Sequence, residues 1–243
     1  MNHQAHPIST HTLLDILEQQ RIGAEYQPIK HVHTLQTVGH EALARFYDDK
    51  QQAVAPQDVF AALHASPITL VQAEQLSKRW QIANAPADGL LFLNLDPDVI
   101  DNEASPEQHP VLRLLDQPNR MVVEIIENAS IQEARRSLWL ASCLAGMGIK
   151  TALDDIGGNG TMLSLPILCS VDIFKFDRAW LRAMHQPAQK RMLCMLLDYA
   201  RQEKRTTILE GIETAADLAL ARELGVDWVQ GYYFKSEFIH TRA

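Results

Sequence analysis

The sequence has few of the features that mark secreted or membrane-spanning proteins. It contains only three cysteines, Cys143, Cys169 and Cys194, and they form no CxxC pair. Scattered cysteines in apolar stretches indicate reduced thiols rather than a disulfide framework. The N-terminus lacks a basic start followed by an apolar core, and the longest apolar run, 138–149, is too short to span a bilayer. We therefore expect a soluble cytoplasmic protein that does not contact a membrane.

The chain also lacks an excess of basic residues. Lys and Arg number 22 against 30 Asp and Glu, and the formal net charge is −8. A broad cationic surface for a nucleic-acid polymer is therefore not expected. Hydrophobic residues make up 47% and charged residues 21% of the sequence, which is an ordinary globular balance. A length of 243 residues suits one α/β barrel, so we predict a single domain over 1–243.

The order of the predicted elements indicates such a barrel. Residues 1–9 are polar and expected to be disordered, and 10–22 have the apolar spacing of an N-terminal helix. Residues 24–29 and 39–47 are strand-like and joined by a polar connection, which predicts an antiparallel start. Strands and helices then alternate, and the strands are continuously apolar, as in a parallel sheet covered on both faces. Up to eight strands favour a closed (β/α)8, TIM-like barrel.

The later elements follow from apolar patterning and from turn residues. Strands are predicted at 90–94, 121–125, 150–154, 172–176, 206–210 and 228–230. Helices are predicted at 56–64, 67–84, 131–147, 189–203 and 215–224, with short helices at 111–115 and 162–168. In a barrel of this kind, the functional residues lie where the strands end.

Several predicted strands end in an acidic or amide side chain. These residues are Glu41, Asn94, Glu124, Asp154, Asp155 and Glu210. Carboxylate and amide oxygens are ligands for hard divalent cations, and a bridging carboxylate can hold two metal ions about 3.5–4 Å apart. Convergence on one rim predicts a divalent-cation site and hydrolytic phosphate chemistry.

Each of these residues alone also has an ordinary structural explanation. Asp154 and Asp155 could form a solvated turn or a helix N-cap. Glu124 could lie on the exposed face of a strand, although a carboxylate flanked by apolar residues is costly to bury unpaired. Asn94 could be a hydrogen-bonded amide at the end of a strand. The common position of all these residues at strand ends is what favours a site.

Three further features have alternatives of the same kind. Lys175 lies between two Phe residues and could extend to the surface, or it could stabilise a phosphoryl oxygen or orient water inside the barrel. The Gly-rich segment 157–160 is not followed by Lys-Ser or Lys-Thr, so it is interpreted as a flexible loop and not as a P-loop. His31 and His33 have a possible metal-ligand spacing but are interpreted as part of a solvated loop.

Eight short strings then occur in one order over nearly the whole chain. They are YQPI at 26–29, EALAR at 41–45, LN at 93–94, EIIE at 124–127, DDIG at 154–157, KFDR at 175–178, EGIET at 210–214 and QGYYF at 230–234. Together they resemble the EAL domain, the bacterial cyclic di-GMP phosphodiesterase module. The resemblance implies a modified (β/α)8 barrel with one antiparallel strand, in agreement with the antiparallel start predicted above.

The resemblance also implies a metal-dependent hydrolase that converts cyclic di-GMP to linear pGpG. Two Mg²⁺ or Mn²⁺ ions would be bound by a shared set of side chains. The ligands of the first ion would be Glu41, Asn94, Glu124 and Asp154. The ligands of the second would be Asp154, Asp155 and Glu210. A water between the ions would attack one phosphodiester in line.

Other roles are implied in the same way. Lys175 and Glu210 would orient or activate the attacking water, and Glu213 and Gln230 would support them. Substrate would be bound by Gln27 at a guanine edge, by Arg45 at a phosphate and by Leu43. Glu127 would brace the loop that follows the aspartate pair. A homodimer and a protein partner are further possibilities.

The loop after the aspartate pair departs from the family pattern. The family has DDFGTGYSSL, whereas this chain has DDIGGNGTML at 154–163. Additional Gly residues raise the entropic cost of ordering the loop. The SxP segment after QGYxF is also replaced, by Lys235-Ser236-Glu237. With no cyclase or sensory sequence in the chain, regulation is expected to come from outside it.

These departures leave two functions to compare. The first is the phosphodiesterase, with activity that is reduced or partner-dependent. The second is a catalytically weak EAL protein that acts as a cyclic di-GMP receptor or protein-interaction module. A barrel enzyme acting on another phosphate ester is a third, more distant alternative.

Overall fold

The computed structural model describes residues 8–100, 109–116, 120–126, 131–158, 160 and 162–243. The strands are β1 Ile22–His31, β2 Thr37–Tyr47, β3 Ala53–Val54, β4 Leu90–Asn94, β5 Met121–Ile126, β6 Lys150–Ile156, β7 Ile173–Phe176, β8 Thr206–Leu209, β9 Trp228–Val229 and β10 Ile239–Arg242. The helices are α1 Thr10–Glu18, α2 Pro56–Leu63, α3 Pro67–Ala83, α4 Ile131–Gly146, α5 Leu165–Ser170, α6 Ala179–Ala183, α7 Pro187–Gln202 and α8 Ala215–Leu224. Short 3₁₀ segments lie at Pro97–Val99, Leu112–Leu115 and Tyr232–Glu237.

Eight of the strands close into a barrel. The ring runs β1, β2, β4, β5, β6, β7, β8, β9 and back to β1. β1 is antiparallel to both of its ring neighbours, β2 and β9, and the other neighbouring pairs in the ring are parallel. The predicted α/β barrel with one antiparallel strand is therefore confirmed.

The inside of the barrel has an apolar layer below a polar one. The apolar layer is formed by Ile29, Phe92, Val122, Ala152, Ile173 and Ile208, with Trp228 packed against it. Each residue of this layer has a polar residue two positions away on the same strand, towards the C-terminal ends of the parallel strands. These polar residues are Gln27, Asn94, Glu124, Asp154, Lys175, Glu210 and Gln230. Side chains two apart on a strand share one face, so this spacing places the polar group inside the barrel, above an apolar plug.

The outward faces of the same strands form a second core against the helices. Leu91 and Leu93 of β4 and Val123 of β5 are fully buried there, together with Leu70 of α3 and Leu144 of α4. Because the strands are buried on both faces, they show no apolar–polar alternation before they reach the rim. The apolar runs of the sequence and its polar strand ends therefore have one cause.

Several boundaries differ from the predicted ones. The N-terminal helix ends at Glu18 instead of residue 22, because Gln20 has a positive φ of 50° and β1 already begins at Ile22. The short helix predicted at 162–168 is at Leu165–Ser170, where Pro166 stands in the first turn. The predicted disorder of 1–9 falls mainly on residues outside the described ranges, and Ser9 is the N-cap of α1.

Strands β3 and β10 were not predicted. β3 pairs with Phe46 and Tyr47 at the end of β2, and β10 pairs with residues 23–26 of β1. Both are edge additions whose pairing depends on distant segments, so local patterning does not reveal them. Within the described ranges, no helix has both the length and the apolar character needed to cross a bilayer.

Candidate active site at the barrel rim

The polar layer of the barrel forms one connected group of side chains. Lys175 of β7 lies at its centre and is 0% exposed. Its Nζ lies 2.5 Å from Glu124 Oε1, 2.8 Å from Asp154 Oδ1, 2.9 Å from Glu210 Oε1 and 3.8 Å from Glu41 Oε2. The alternative of a lysine that extends to the surface is therefore excluded by its burial and its contacts.

Glu41 of β2 is held by two amide side chains. Asn94 Nδ2 donates to Glu41 Oε1 at 3.0 Å, and Gln230 Nε2 donates to Glu41 Oε2 at 2.5 Å. Gln230 Nε2 also lies 3.4 Å from Gln27 Oε1. Both oxygens of this buried carboxylate thus accept hydrogen bonds, while Gln230 Oε1 is buried and has no hydrogen-bond partner among the described residues.

A β-bulge explains why two consecutive aspartates face the same rim. Consecutive residues on a regular strand point to opposite faces. Between Leu153 and Ile156 the β6–β7 register advances three residues on β6 but only two on β7. The extra residue on β6 bends this strand, and Asp155 takes a left-handed conformation with φ of 55°. The side chain of Asp155 can therefore face the same rim as that of Asp154. A non-Gly residue in this region is uncommon and is found enriched at functional sites.

Burial and mutual repulsion raise the pKa values of most acidic groups in the site. Burial raises the pKa of Glu210 to about 8 and that of Asp155 to about 6, and the charge of Asp154 adds to both shifts. Burial and the charge of Glu41 also raise the pKa of Glu124 well above its usual value and raise that of Asp154. Glu41 is the exception: burial acts to raise its pKa, but Lys175 and the two amides outweigh burial and lower it.

For Lys175, burial and the neighbouring charges act on the pKa in the opposite directions. Burial acts to lower its pKa, but the surrounding carboxylates outweigh burial and raise it well above the ordinary value. A positive charge therefore stays at the centre of the acidic group throughout the neutral range.

The donor set fits divalent cations. Two groups of carboxylates have oxygen atoms within 4.8 Å of one another, namely Glu41, Glu124 and Asp154, and Asp154, Asp155 and Glu210. Asp154 belongs to both groups, and Glu124 Oε2 is a buried oxygen without a hydrogen-bond partner among the described residues. The ionised carboxylates and Lys175 together carry a formal charge of −4, which two divalent cations would neutralise.

The shifted carboxyl groups make the stability of the metal-free protein depend on pH. A carboxyl whose folded pKa is raised above its unfolded value binds more protons in the folded state, so stability falls as pH rises through that window. For Asp155 and Glu210 the window runs from the usual acidic values to about 6 and about 8. Glu41 acts in the opposite direction, but the raised groups outnumber it.

We therefore expect the melting temperature in EDTA to fall between about pH 5.5 and about pH 8.5, and Mn²⁺ to raise it most at the higher pH. Binding of Mn²⁺ should also release protons, because the cation replaces them on the carboxyl groups. Thermal unfolding with EDTA or Mn²⁺ at several pH values tests this, and calorimetry in two buffers counts the protons. A Mn²⁺-induced shift that is equal at all pH values would contradict it.

The rim opens into a cleft with a volume of about 290 Å³. The predicted residues that line it are Gln27, Glu41, Leu43, Asp154, Asp155, Glu210, Glu213 and Gln230. Glu213 is exposed at its edge, just before the capping box of α8. Arg45 is not among the lining residues, because its guanidinium Nη2 is paired with Glu25 Oε1 at 2.9 Å.

Sequence reasoning assigned no role to four residues at or near the cleft. Asp177, Arg178 and Tyr232 line it, and Glu25 lies beside Gln27 and Arg45. Asp177 and Arg178 belong to the KFDR string, but nothing in the string shows that they face the cleft. Glu25 could have been found from strand periodicity, because it precedes Gln27 by two residues on β1.

The glycines after the site strands keep the rim compact. A Cβ on Gly211, at φ of 70°, would lie 2.2 Å from the Cβ of Arg178. A Cβ on Gly157, at φ of 81°, would lie 2.4 Å from Trp180 Nε1, which donates to the Ile156 carbonyl. Of the predicted loop features, Glu127, Asn159 and Thr161 lie outside the described residues, so the bracing role of Glu127 stays a prediction.

A further group of possible ligands lies outside the barrel rim. His64, Asp96 and Asp98 have ligand atoms within 4.8 Å of one another, and Asp98 already pairs with Arg136. The two histidines considered from the sequence, His31 and His33, belong to none of the candidate metal groups found among the described residues.

Comparison with known proteins agrees with this geometry. The family model of the EAL domain matches residues 10–237. The probable cyclic di-GMP phosphodiesterase PdeB of Escherichia coli is 26% identical over 234 residues, which cover 92% of this chain and 44% of PdeB. An uncharacterized protein of Azorhizobium caulinodans is 25% identical over 249 residues, covering 91% of this chain and 32% of that protein. The chain thus spans about a third of the length of one of these two relatives and just under half of the other.

Solved structures share the fold. YkuI of Bacillus subtilis, solved in complex with its substrate c-di-GMP and calcium, has a TM-score of 0.75 at 22% identity, over 95% of this chain and 58% of that one. An EAL domain protein of Listeria monocytogenes has a TM-score of 0.73 at 22% identity, over 95% of this chain and 94% of that one. At these identities the likeness supports the barrel fold and not a shared activity.

Proposed function

The chain belongs to the EAL domain family, and from this premise we propose that it is a metal-dependent phosphodiesterase that hydrolyses cyclic di-GMP to linear pGpG. The observation that supports this most is the acidic group around Lys175, in which Asp154 belongs to both sets of candidate metal ligands. A binding module would not require two sets of carboxylates that repel one another in the absence of cations. The name of PdeB, a relative over most of this chain, supports the same activity.

The metal ions in this proposal are Mg²⁺ or Mn²⁺, two for each site. Glu41, Asn94, Glu124 and Asp154 would hold one, and Asp154, Asp155 and Glu210 would hold the other. When bound, the ions would lower the pKa of a water and neutralise charge that develops on the phosphoryl oxygens.

The protein's own side chains would position the water and the diester. Glu210 lines the cleft and could accept the proton of the attacking water. Lys175 Nζ lies 2.9 Å from Glu210 Oε1 and would supply a fixed positive charge beneath the cleft, behind the carboxylates that face it. Gln230 Oε1, buried and without a partner among the described residues, is an acceptor for a water proton. Hydrolysis of one P–O bond adds one water and leaves a linear dinucleotide with a terminal phosphate.

The glycines after the aspartate pair favour a second candidate function. Gly160 has φ of 88°, and a Cβ at this position would contact nothing within 4 Å. A glycine without packing around it raises the entropic cost of ordering the segment that it belongs to, and this segment follows Asp155. The alternative is therefore a catalytically weak protein that binds cyclic di-GMP as a receptor or interacts with another protein.

Hydrolysis of cyclic di-GMP in Mg²⁺ or Mn²⁺, with the product identified by mass spectrometry, separates the two functions. Formation of pGpG that stops in EDTA and resumes with Mn²⁺ supports the enzyme. Binding of cyclic di-GMP without any pGpG over many hours supports the receptor. The absence of both binding and turnover would overturn the enzyme and the cyclic di-GMP receptor.

A further inference from the structure

Glu25 is a carboxylate of β1 that stands beside the predicted substrate-binding residues. Its Oε1 lies 2.9 Å from Arg45 Nη2 and accepts a hydrogen bond from Gln27 Nε2 at 2.7 Å. Its Oε2 lies 3.5 Å from Nδ1 of the exposed His240. The Glu25 side chain is only 14% exposed, so the pair with Arg45 is partly shielded from water.

The β1–β2 pairing explains why Arg45 reaches Glu25. Glu25 is opposite Leu43, Gln27 is opposite Glu41, and Arg45 is opposite Gly23. Directly opposite residues of an antiparallel pair share a face, and diagonal neighbours lie within reach of long side chains. Since Gly23 has no side chain, the Arg45 guanidinium can turn along the strand towards Glu25.

This contact uses the positive charge that a phosphate would need. Arg45 Nη2 is paired with Glu25, and Arg45 Nη1 donates to the Ala44 carbonyl at 2.9 Å. Cyclic di-GMP carries two phosphodiester charges, so an incoming substrate meets a carboxylate at the one predicted phosphate ligand of the rim. The guanidinium N–H group that could donate to a phosphate oxygen is instead paired here with the Glu25 carboxylate.

We infer that Glu25 is an internal competitor for the phosphate-binding position of Arg45, and that it sets a weak affinity for the anionic substrate. This inference rests on the proposed function, because it assumes that cyclic di-GMP is the substrate and that Arg45 contacts its phosphate, as the family resemblance implies. Substrate binding then requires the Arg45–Glu25 pair to open, and Glu25 repels the diester while the pair is closed. The consequence is a KM for cyclic di-GMP that is higher than it would be without the Glu25 carboxylate.

A purely positioning role for Glu25 predicts a different result. Glu25 orients the Gln27 amide, Gln27 Oε1 faces Gln230, and Gln230 donates to Glu41. If this chain of hydrogen bonds were the whole role, replacing Glu25 would lower kcat and leave KM unchanged or raised. Competition for Arg45 instead predicts a lower KM with little change in kcat.

The Glu25→Gln variant separates the two roles because it removes the charge but keeps an oxygen that can accept both hydrogen bonds. We expect KM for cyclic di-GMP to fall about three- to tenfold, with kcat within about twofold of the wild-type value, and the KM effect to shrink at high salt. The matched control is Asp198→Asn, which removes a carboxylate from an arginine pair on the outer helix α7, Asp198 Oδ1 to Arg201 Nη1 at 2.6 Å. It should leave KM unchanged.

A double mutant tests whether the effect acts through Arg45. In an Arg45→Ala background, Glu25→Gln should change KM by less than about twofold. An unchanged or raised KM in the single variant, or the same decrease in KM without Arg45, would overturn the inference.

Inorganic pyrophosphate distinguishes failure of this inference from failure of the proposed function. If the wild-type protein neither binds nor hydrolyses cyclic di-GMP, the proposed function fails. Calorimetry with pyrophosphate in EDTA then still tests the competition for Arg45. This anion can bind to a cationic side chain without a metal ion and without catalysis. Tighter pyrophosphate binding by Glu25→Gln than by wild type supports the competition, and equal binding overturns it.

Discussion

The Asp154→Asn variant should lose cyclic di-GMP hydrolysis by about a thousandfold or more, while the protein stays folded. Asp154 is the residue common to both candidate metal groups, so one substitution removes a charged ligand from each. Asparagine has nearly the same shape, which limits any packing loss. Initial rates of pGpG formation in Mn²⁺, together with the Mn²⁺-induced rise in melting temperature, measure the two consequences.

The stability of this variant in EDTA has an expected sign that ordinary damage would not produce. Burial and the charge of Glu41 raise the pKa of Asp154, so its ionised form is disfavoured in the metal-free protein. Removing that charge should leave the variant as stable as wild type, or more stable, near about pH 8 in EDTA. A large loss of stability in EDTA, or full turnover with a normal response to Mn²⁺, would contradict the ligand role.

Asp172→Asn is the matched control for Asp154→Asn. Asp172 precedes β7, and its Oδ2 accepts a hydrogen bond from the Thr151 amide at 3.0 Å, at the end of the barrel away from the rim. The substitution makes the same chemical change beside the same two strands, β6 and β7. We expect turnover within about twofold of wild type, because the metal groups are untouched.

The sequence allowed the acidic rim to be predicted because one physical rule connects it with the fold. Strands buried on both faces must be apolar until they leave the barrel, so a carboxylate or amide directly after such a strand stands out. Asn94, Glu124 and Asp154 follow the buried Phe92, Val122 and Ala152 by two residues each, and this spacing alone places them on the inner face. The family resemblance added the roles of these residues, but strand periodicity alone predicts that their side chains lie together inside the barrel.

The features that could not be predicted depend on contacts between distant segments. The bulge at Asp155 appears only in the register of β6 against β7. The pairing of Arg45 with Glu25 is a diagonal contact across the β1–β2 ladder, in which Arg45 lies opposite Gly23 and Glu25 opposite Leu43. Strand β10 brings His240 to Glu25 from the far end of the chain. None of these contacts leaves a local pattern in the sequence.

The Lys175→Met variant should be destabilised by about 3–5 kcal/mol in EDTA near about pH 8, because it leaves buried carboxylates without their cation. Lys175 is fully buried and lies within 3.8 Å of four carboxylates. The loss should be smaller at about pH 5.5, where the carboxyl groups can accept protons instead. Turnover should fall by about a hundredfold or more even in saturating Mn²⁺, because the fixed charge that orients Glu210 and the other carboxylates is gone.

Lys78→Met distinguishes this prediction from the general cost of breaking a buried ion pair. Lys78 Nζ lies 2.7 Å from Glu74 Oε2 on α3, and both side chains are 3% exposed. Both variants should lose stability, because each leaves a buried carboxylate unpaired. Mn²⁺ should raise the stability of Lys78→Met by the same amount as that of wild type, and the stability of Lys175→Met by a larger amount, since only the carboxylates around Lys175 belong to the candidate metal groups. Equal responses of the two variants to Mn²⁺ would mean that the charge of Lys175 and the charge of a bound cation do not substitute for one another, and the proposed metal centre would then lack its electrostatic basis.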